Sequence, residues 1–145
     1  MAAMAEVRTA TALLVLRVSL GIFLLQWSFE KIVVPESAIR VGQHFYGVAP
    51  TVGTTIMVGV AEALLALALL FGMWRRWSYG LAILIHAVSV GSTWRQLLTP
   101  YAGTNHLFIA AVPVLAALVL LYLLREWDTY SVGGWRQRRS IVART

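Results

Sequence analysis

The sequence predicts an all-α integral membrane protein, a bundle of four transmembrane helices with both termini in the cytoplasm. Three observations lead there. Of the 145 residues, 59% are hydrophobic and only 12% charged, whereas a soluble domain carries about 25% charged and 45–50% apolar residues. With a mean hydropathy of +0.75, the chain has too little polar surface to meet water. Four stretches are each long enough to cross a bilayer, which takes roughly 20 apolar residues. The basic residues are distributed unequally between the two sides that four crossings define.

The first span covers residues 9–34 and is interrupted by Arg17. That arginine falls where a signal peptide would need its apolar core, so the segment reads as an anchor. Residues 51–73 form the second span, with Glu62 as its single charge. The third, 77–98, contains His86 and, near its end, Arg95; the fourth, 105–124, contains His106 near its start and Pro113. Pro113 predicts a mild kink. All four are rich in Ala and Leu and lack the alternation of membrane strands. The spans make one domain, residues 1–127, followed by a basic cytoplasmic tail, residues 128–145, read as a flexible segment lying on anionic headgroups. The connection from Pro35 to Pro50 mixes Ile39, Val41, Phe45 and Tyr46 with Arg40, Gln43 and His44. Such a mixture suits an amphipathic segment packed at the outer interface, or a lid over the bundle.

Orientation follows from counting. Arg8, Arg75, Arg76, Arg125, Arg136, Arg138, Arg139 and Arg144 fall on one side, and Lys31, Arg40 and Arg95 on the other. The richer side is cytoplasmic, which gives an N-in/C-in topology. The net charge of +6 therefore reports topology, and nucleic acid is not an expected partner. The absence of cysteine excludes thiol chemistry, thiolate zinc and iron–sulfur clusters. A bis-histidine haem is not expected either, because His86 and His106 differ by about 10 Å in depth at the helical rise. No carboxylate–histidine set has the spacing of a metal site.

Charges inside lipid point to function. Counted from the span ends, Arg17, Glu62 and His86 all fall roughly 12–17 Å deep. The expectation is a buried Arg17–Glu62 ion pair with His86 in reach, acting either as a helix lock or as a proton-handling, catalytic site. An arginine keeps its charge in lipid and demands a partner. Helical spacing puts Arg17, Gly21, Leu24, Ser28 and Lys31 on one face, Thr55, Gly59, Glu62 and Ala66 on another, and His86, Ser89, Thr93 and Gln96 on a third. Their convergence predicts a polar cavity opening outwards. Lys31, Arg95, Gln96 and His106 near the outer surface would make a positively biased mouth for a small anion or a quinone headgroup.

The order of features resembles the DoxX family of small four-helix membrane proteins. The resemblance rests on Arg17-Val18-Ser19-Leu20-Gly21-Ile22-Phe23, then Glu30-Lys31-Ile32. It continues through Gly59-Val60-Ala61-Glu62 to Phe71-Gly72 and the basic turn Arg75-Arg76, covering residues 13–124. Ser28 stands where the family pattern often has glycine. The resemblance implies a membrane subunit of an oxidoreductase complex of the thiosulfate:quinone oxidoreductase kind. It implies quinone as the cofactor, other subunits and lipid as partners, and Arg17, Lys31 and Glu62 as family-like positions. The alternative is a non-catalytic accessory or assembly subunit. A small transporter is less well matched, since no span is interrupted by unwinding residues.

Overall fold

The computed structural model describes the backbone of residues 2–142 and the side chains of residues 4–137. Among the described residues there is no strand. Helix α1, Ala2–Val33, is a single rod of 32 residues, about 48 Å at the helical rise. It stops where Pro35 forces the preceding Val34 out of helical geometry, at φ −133° and ψ 61°. Pro35 then opens the short α2, Pro35–Val41, as its first residue, where its missing N–H costs nothing. A widened π-helical turn, Gly42–Tyr46, continues α2 and ends at Gly47 in the left-handed region.

Helix α3, Val52–Leu70, starts at Thr51, whose Oγ1 accepts from the Thr54 N–H at 3.2 Å. Helix α4, Arg75–Ser92, follows a tight turn and gives way at Thr93 to α5, Trp94–Leu98. The last long element begins as a 3-10 segment, Asn105–Ala110, and becomes α6, Ala111–Leu123. Pro113 accounts for that change of winding, because it cannot donate the hydrogen bond that a regular α-helix would need there. A 3-10 turn, Arg125–Trp127, leads to α7, Val132–Val142.

Three of these helical stretches are long and apolar enough to cross a membrane: Met4–Val33, Val52–Leu70 and Asn105–Leu123. The expected third span is instead divided at Thr93, and α4 carries Arg75, Arg76, His86 and three serines, which dilute its hydropathy. Large apolar side chains such as Met57 and Leu64, 74% and 63% exposed, face outwards.

The core joins α1 (Leu13, Leu20), α3 (Leu69), α4 (Tyr79, Ala82) and α6 (Leu118, Leu121). Glycines fix how α1 meets α3. A Cβ on Gly21 would lie 2.8 Å from the Leu70 Cβ, and one on Gly59 would lie 2.8 Å from the Lys31 Cβ and 3.0 Å from the Ser28 carbonyl oxygen. Pairing 21 with 70 and 31 with 59 makes the two helices antiparallel, with backbones closer than any side chain there allows. Ser28, buried at that contact, donates its hydroxyl to the Leu24 carbonyl at 2.8 Å. The faces predicted for α1 and α3 therefore turn inwards.

Segment 128–134 belongs to the bundle, contrary to the expectation of a flexible tail. The Val132 and Gly133 N–H groups donate to the carbonyls of Phe71 and Gly72, each at 3.0 Å, and Asp128 is fully buried. The domain boundary expected after residue 127 thus separates Asp128 from the core in which it is buried. The side chains of Arg138 and Arg139, and all of Arg144, lie outside the described residues.

Candidate functional site

Two charged centres lie on α1, one at its middle and one in its last turn. The first sits at the α3–α4 turn. Gly72 there has φ 64°, a conformation that glycine adopts at little cost. A Cβ on it would collide with the Ser131 Cβ and lie 2.8 Å from Arg17 Nη1. The bare backbone at this turn lets the C-terminal segment close over Arg17. Arg17 Nη1 donates to both Asp128 oxygens at 2.8 and 2.7 Å, Nε to the Leu70 carbonyl at 3.1 Å, and Nη2 to the Tyr130 carbonyl at 2.7 Å. Tyr79 Oη donates to Asp128 Oδ2 at 2.5 Å. Arg75 Nη1 secures the same segment through the carbonyls of Arg125 and Asp128, and Nη2 through Gln137 Oε1.

The expected Arg17–Glu62 pair does not form. Arg17 reaches the last residue of α3, whereas Glu62 lies eight residues earlier, about 12 Å along the axis. The depth count went astray because α1 begins at Ala2 and not at Thr9, so Arg17 was measured from a false zero. Its true acid is Asp128, which the sequence reading assigned to the tail. The Arg17 and Asp128 side chains are 3% and 0% exposed. Each of the three guanidinium nitrogens is engaged, and both carboxylate oxygens are taken. This centre is built as a lock joining α1, α3, α4 and the C-terminal segment.

The second centre is Lys31–Glu62. Lys31 Nζ lies 2.8 Å from Glu62 Oε2, and the side chains are 27% and 20% exposed. Lys31 was expected at the outer mouth, but the Gly59 contact draws it to mid-height of α3. Glu62 Oε1 has no hydrogen-bond partner among the described residues, so the pair keeps acceptor capacity. Trp27 and Phe23 stand four and eight residues back from Lys31 on α1, sharing its face. Phe23 packs edge-on against Trp27 at 6.3 Å between centroids and against the His86 ring at 5.6 Å. His86 is buried, with Nε2 3.0 Å from the Ala111 carbonyl oxygen. It therefore belongs to the aromatic layer beneath the Lys31–Glu62 pair.

The outer residues do not assemble into a mouth. Arg95 stacks on Trp94 at 5.4 Å, His106 is exposed, and Gln96 has a buried Oε1 with no hydrogen-bond partner. No hydrogen bond or ion pair among the described residues joins these three to Lys31. Of the stripe predicted as His86, Ser89, Thr93 and Gln96, Thr93 is spent locally, its Oγ1 donating to the Val90 carbonyl. Phe45 packs on Phe108 at 5.6 Å, and Ser37 Oγ donates to Glu30 at 2.7 Å, so the first connection packs against the bundle. An open apolar surface along α1 from Val7 to Ser19 touches neither Glu62 nor His86. The polar cavity expected among the helices is thus replaced by a side-facing ion pair over aromatic rings.

Asp128 and Tyr79 carry no expected role in the sequence, and Arg75 is legible there only as a topology charge in the basic turn. A single signal could have found Asp128: a membrane arginine needs an acid, and Asp128 follows the last span within one turn. No known family model, curated protein or solved structure matches the chain.

Proposed function

We propose that this chain is a membrane subunit of a bacterial oxidoreductase complex, anchoring partner subunits and presenting a quinone-accessible face at Lys31–Glu62. In this reading α4 is a fourth crossing. It is tied to α3 by a four-residue turn and leads back to the start of the α6 stretch, so its 18 residues must return the chain through the thickness that α3 and α6 cross. Both termini are then cytoplasmic in the inner membrane. Arg75, Arg76, Arg125 and Arg136 cluster at that end, as the excess of positive charge on the cytoplasmic side requires.

The observation that carries the functional reading is the Lys31–Glu62 pair itself. A charged pair at mid-height of an apolar helix is costly, and this one is partly open on one side and has an unused carboxylate oxygen. A quinone fits that chemistry through carbonyls that accept a hydrogen bond and a flat ring that lies against aromatic side chains. A bound quinone supplies two-electron redox chemistry, which no side chain here provides. Lys31 donates to a carbonyl, Glu62 takes or returns a proton at its free oxygen, and Phe23 with Trp27 forms an apolar wall.

A specific observation favours the accessory-subunit reading as well: the Arg17–Asp128 centre is saturated and serves cohesion alone. Purification in mild detergent with native partners, lipid extraction and an optical spectrum separate the two. Stoichiometric quinone, with turnover lost in Glu62→Gln while the complex stays assembled, supports the quinone-linked role. Absence of quinone, with Glu62→Gln affecting assembly only, supports the accessory role.

A further inference from the structure

Helix α1 has a second, outward face that the core does not use. Val15, Ser19, Ile22, Gln26, Phe29 and Val33 are all exposed, at alternating spacings of four and three. That pattern repeats every 3.5 residues, the period at which two helices stay in register along a left-handed crossing. The open surface from Val7 to Ser19 lies on the same face.

Gln26 is the anomaly on it. It lies nine residues beyond Arg17 and five before Lys31, about 13 and 8 Å along the axis from the two charged centres of α1. The other polar side chains on this face satisfy themselves: Thr11 Oγ1 donates to the Val7 carbonyl at 2.8 Å, and Ser19 Oγ to the Val15 carbonyl at 2.9 Å. The Gln26 carboxamide has no hydrogen-bond partner among the described residues. In hydrocarbon an unpaired amide is expensive.

We propose that the chain forms a parallel, twofold-symmetric dimer in the membrane through this face of α1, with the two Gln26 carboxamides hydrogen-bonded to each other. A carboxamide is both donor and acceptor, so it is its own complement. A twofold axis along the membrane normal brings each residue of the seam opposite its own copy, which satisfies both amides with no other residue required. Arg8 falls at the cytoplasmic end of the seam, where water and headgroups separate like charges. The inference rests on α1 crossing the membrane and is independent of quinone binding.

The protein has no cysteine, so single cysteines introduced into the full chain report contacts without background. Val15→Cys, Ser19→Cys, Ile22→Cys and Phe29→Cys are oxidised in native membranes beside the outward-facing controls Leu64→Cys and Leu120→Cys. Disulfide-linked dimers are expected at two or more seam positions and at neither control. Sedimentation equilibrium in density-matched detergent should then show Gln26→Leu weakening the dimer by about three- to thirtyfold, the range of one interhelical hydrogen bond in a membrane. Because Gln26 is exposed, that variant keeps its fold. Equal cross-linking at the controls, a monomer at every detergent ratio, or a dimer indifferent to Gln26→Leu would overturn the proposal. So would seam cross-links to a different polypeptide without a homodimer.

Discussion

Replacing Asp128 by asparagine removes one charge and almost no volume, which isolates the electrostatic part of the Arg17 lock. Arg17 would remain 3% exposed, still bonded to the carbonyls of Leu70 and Tyr130 but with no counter-charge. Breaking a buried pair by removing one partner costs about 3–5 kcal/mol. Arg17→Met strands a fully buried carboxylate with Tyr79 as its remaining side-chain partner, at a similar cost of about 3–5 kcal/mol. The double variant Arg17→Met/Asp128→Asn leaves no buried charge, and Tyr79 can still donate to the asparagine. Its loss is then set by the two carbonyls deprived of a donor, about 1–3 kcal/mol each, a cost that Arg17→Met carries as well and that cancels in the cycle. The account therefore predicts a coupling energy of at least about 3 kcal/mol, opposing the sum of the singles. Reversible unfolding in mixed micelles, followed by the fluorescence of the six tryptophans, measures all four corners of the cycle. Additive losses, or a single-variant loss below about 1 kcal/mol as for an exposed pair, would refute the reasoning.

Other expectations come from the same geometry. Gly72→Ala must hold a side chain at φ 64° against Ser131 and Arg17 Nη1; a loss of about 2–4 kcal/mol is expected in the same micelle assay, larger than for Gly91→Ala, where a Cβ meets nothing within 4 Å. Truncation after Trp127 should destabilise the bundle at least as much as Asp128→Asn. It is read by thermal aggregation in detergent. Gly59→Val, which would drive a side chain into Lys31 and Ser28, is expected to separate α1 from α3 and lower the yield of folded protein in membranes severalfold.

The helices were legible because a segment long and apolar enough to cross a membrane must satisfy its own backbone and present apolar side chains. The second span was read as residues 51–73 and is helical over Val52–Leu70; the fourth, 105–124, is helical over Asn105–Leu123. The inward faces of α1 and α3 were also legible, since helical spacing alone determines which residues share a side. What failed was depth. Hydropathy marks where lipid begins but not where a helix begins, and α1 carries Glu6 and Arg8 within its first turns. Measured from Thr9, Arg17 fell beside Glu62; in the fold it is level with Leu70. Asp128 was misread for a related reason. A stretch with Gly133-Gly134 and several arginines looks like a solvated tail, but Gly133 allows close approach to the α3–α4 turn and Gly134 lets the segment fold back on Asp128 and Thr129. A Cβ on Gly133 would lie 3.0 Å from the Gly72 carbonyl oxygen, and one on Gly134 would lie 2.8 Å from the Asp128 carbonyl oxygen. Contacts between residues separated by 111 positions leave no periodic trace in the sequence.

The most direct test of the quinone-linked role is photolabelling of the native complex in its membrane with an azido-quinone, followed by peptide mapping. The account predicts label on peptides of this chain that carry Trp27 to Lys31 or Glu62, competed by excess unmodified quinone and diminished in Lys31→Met. Label confined to partner subunits, with this chain unmarked and Lys31→Met without effect, would contradict it.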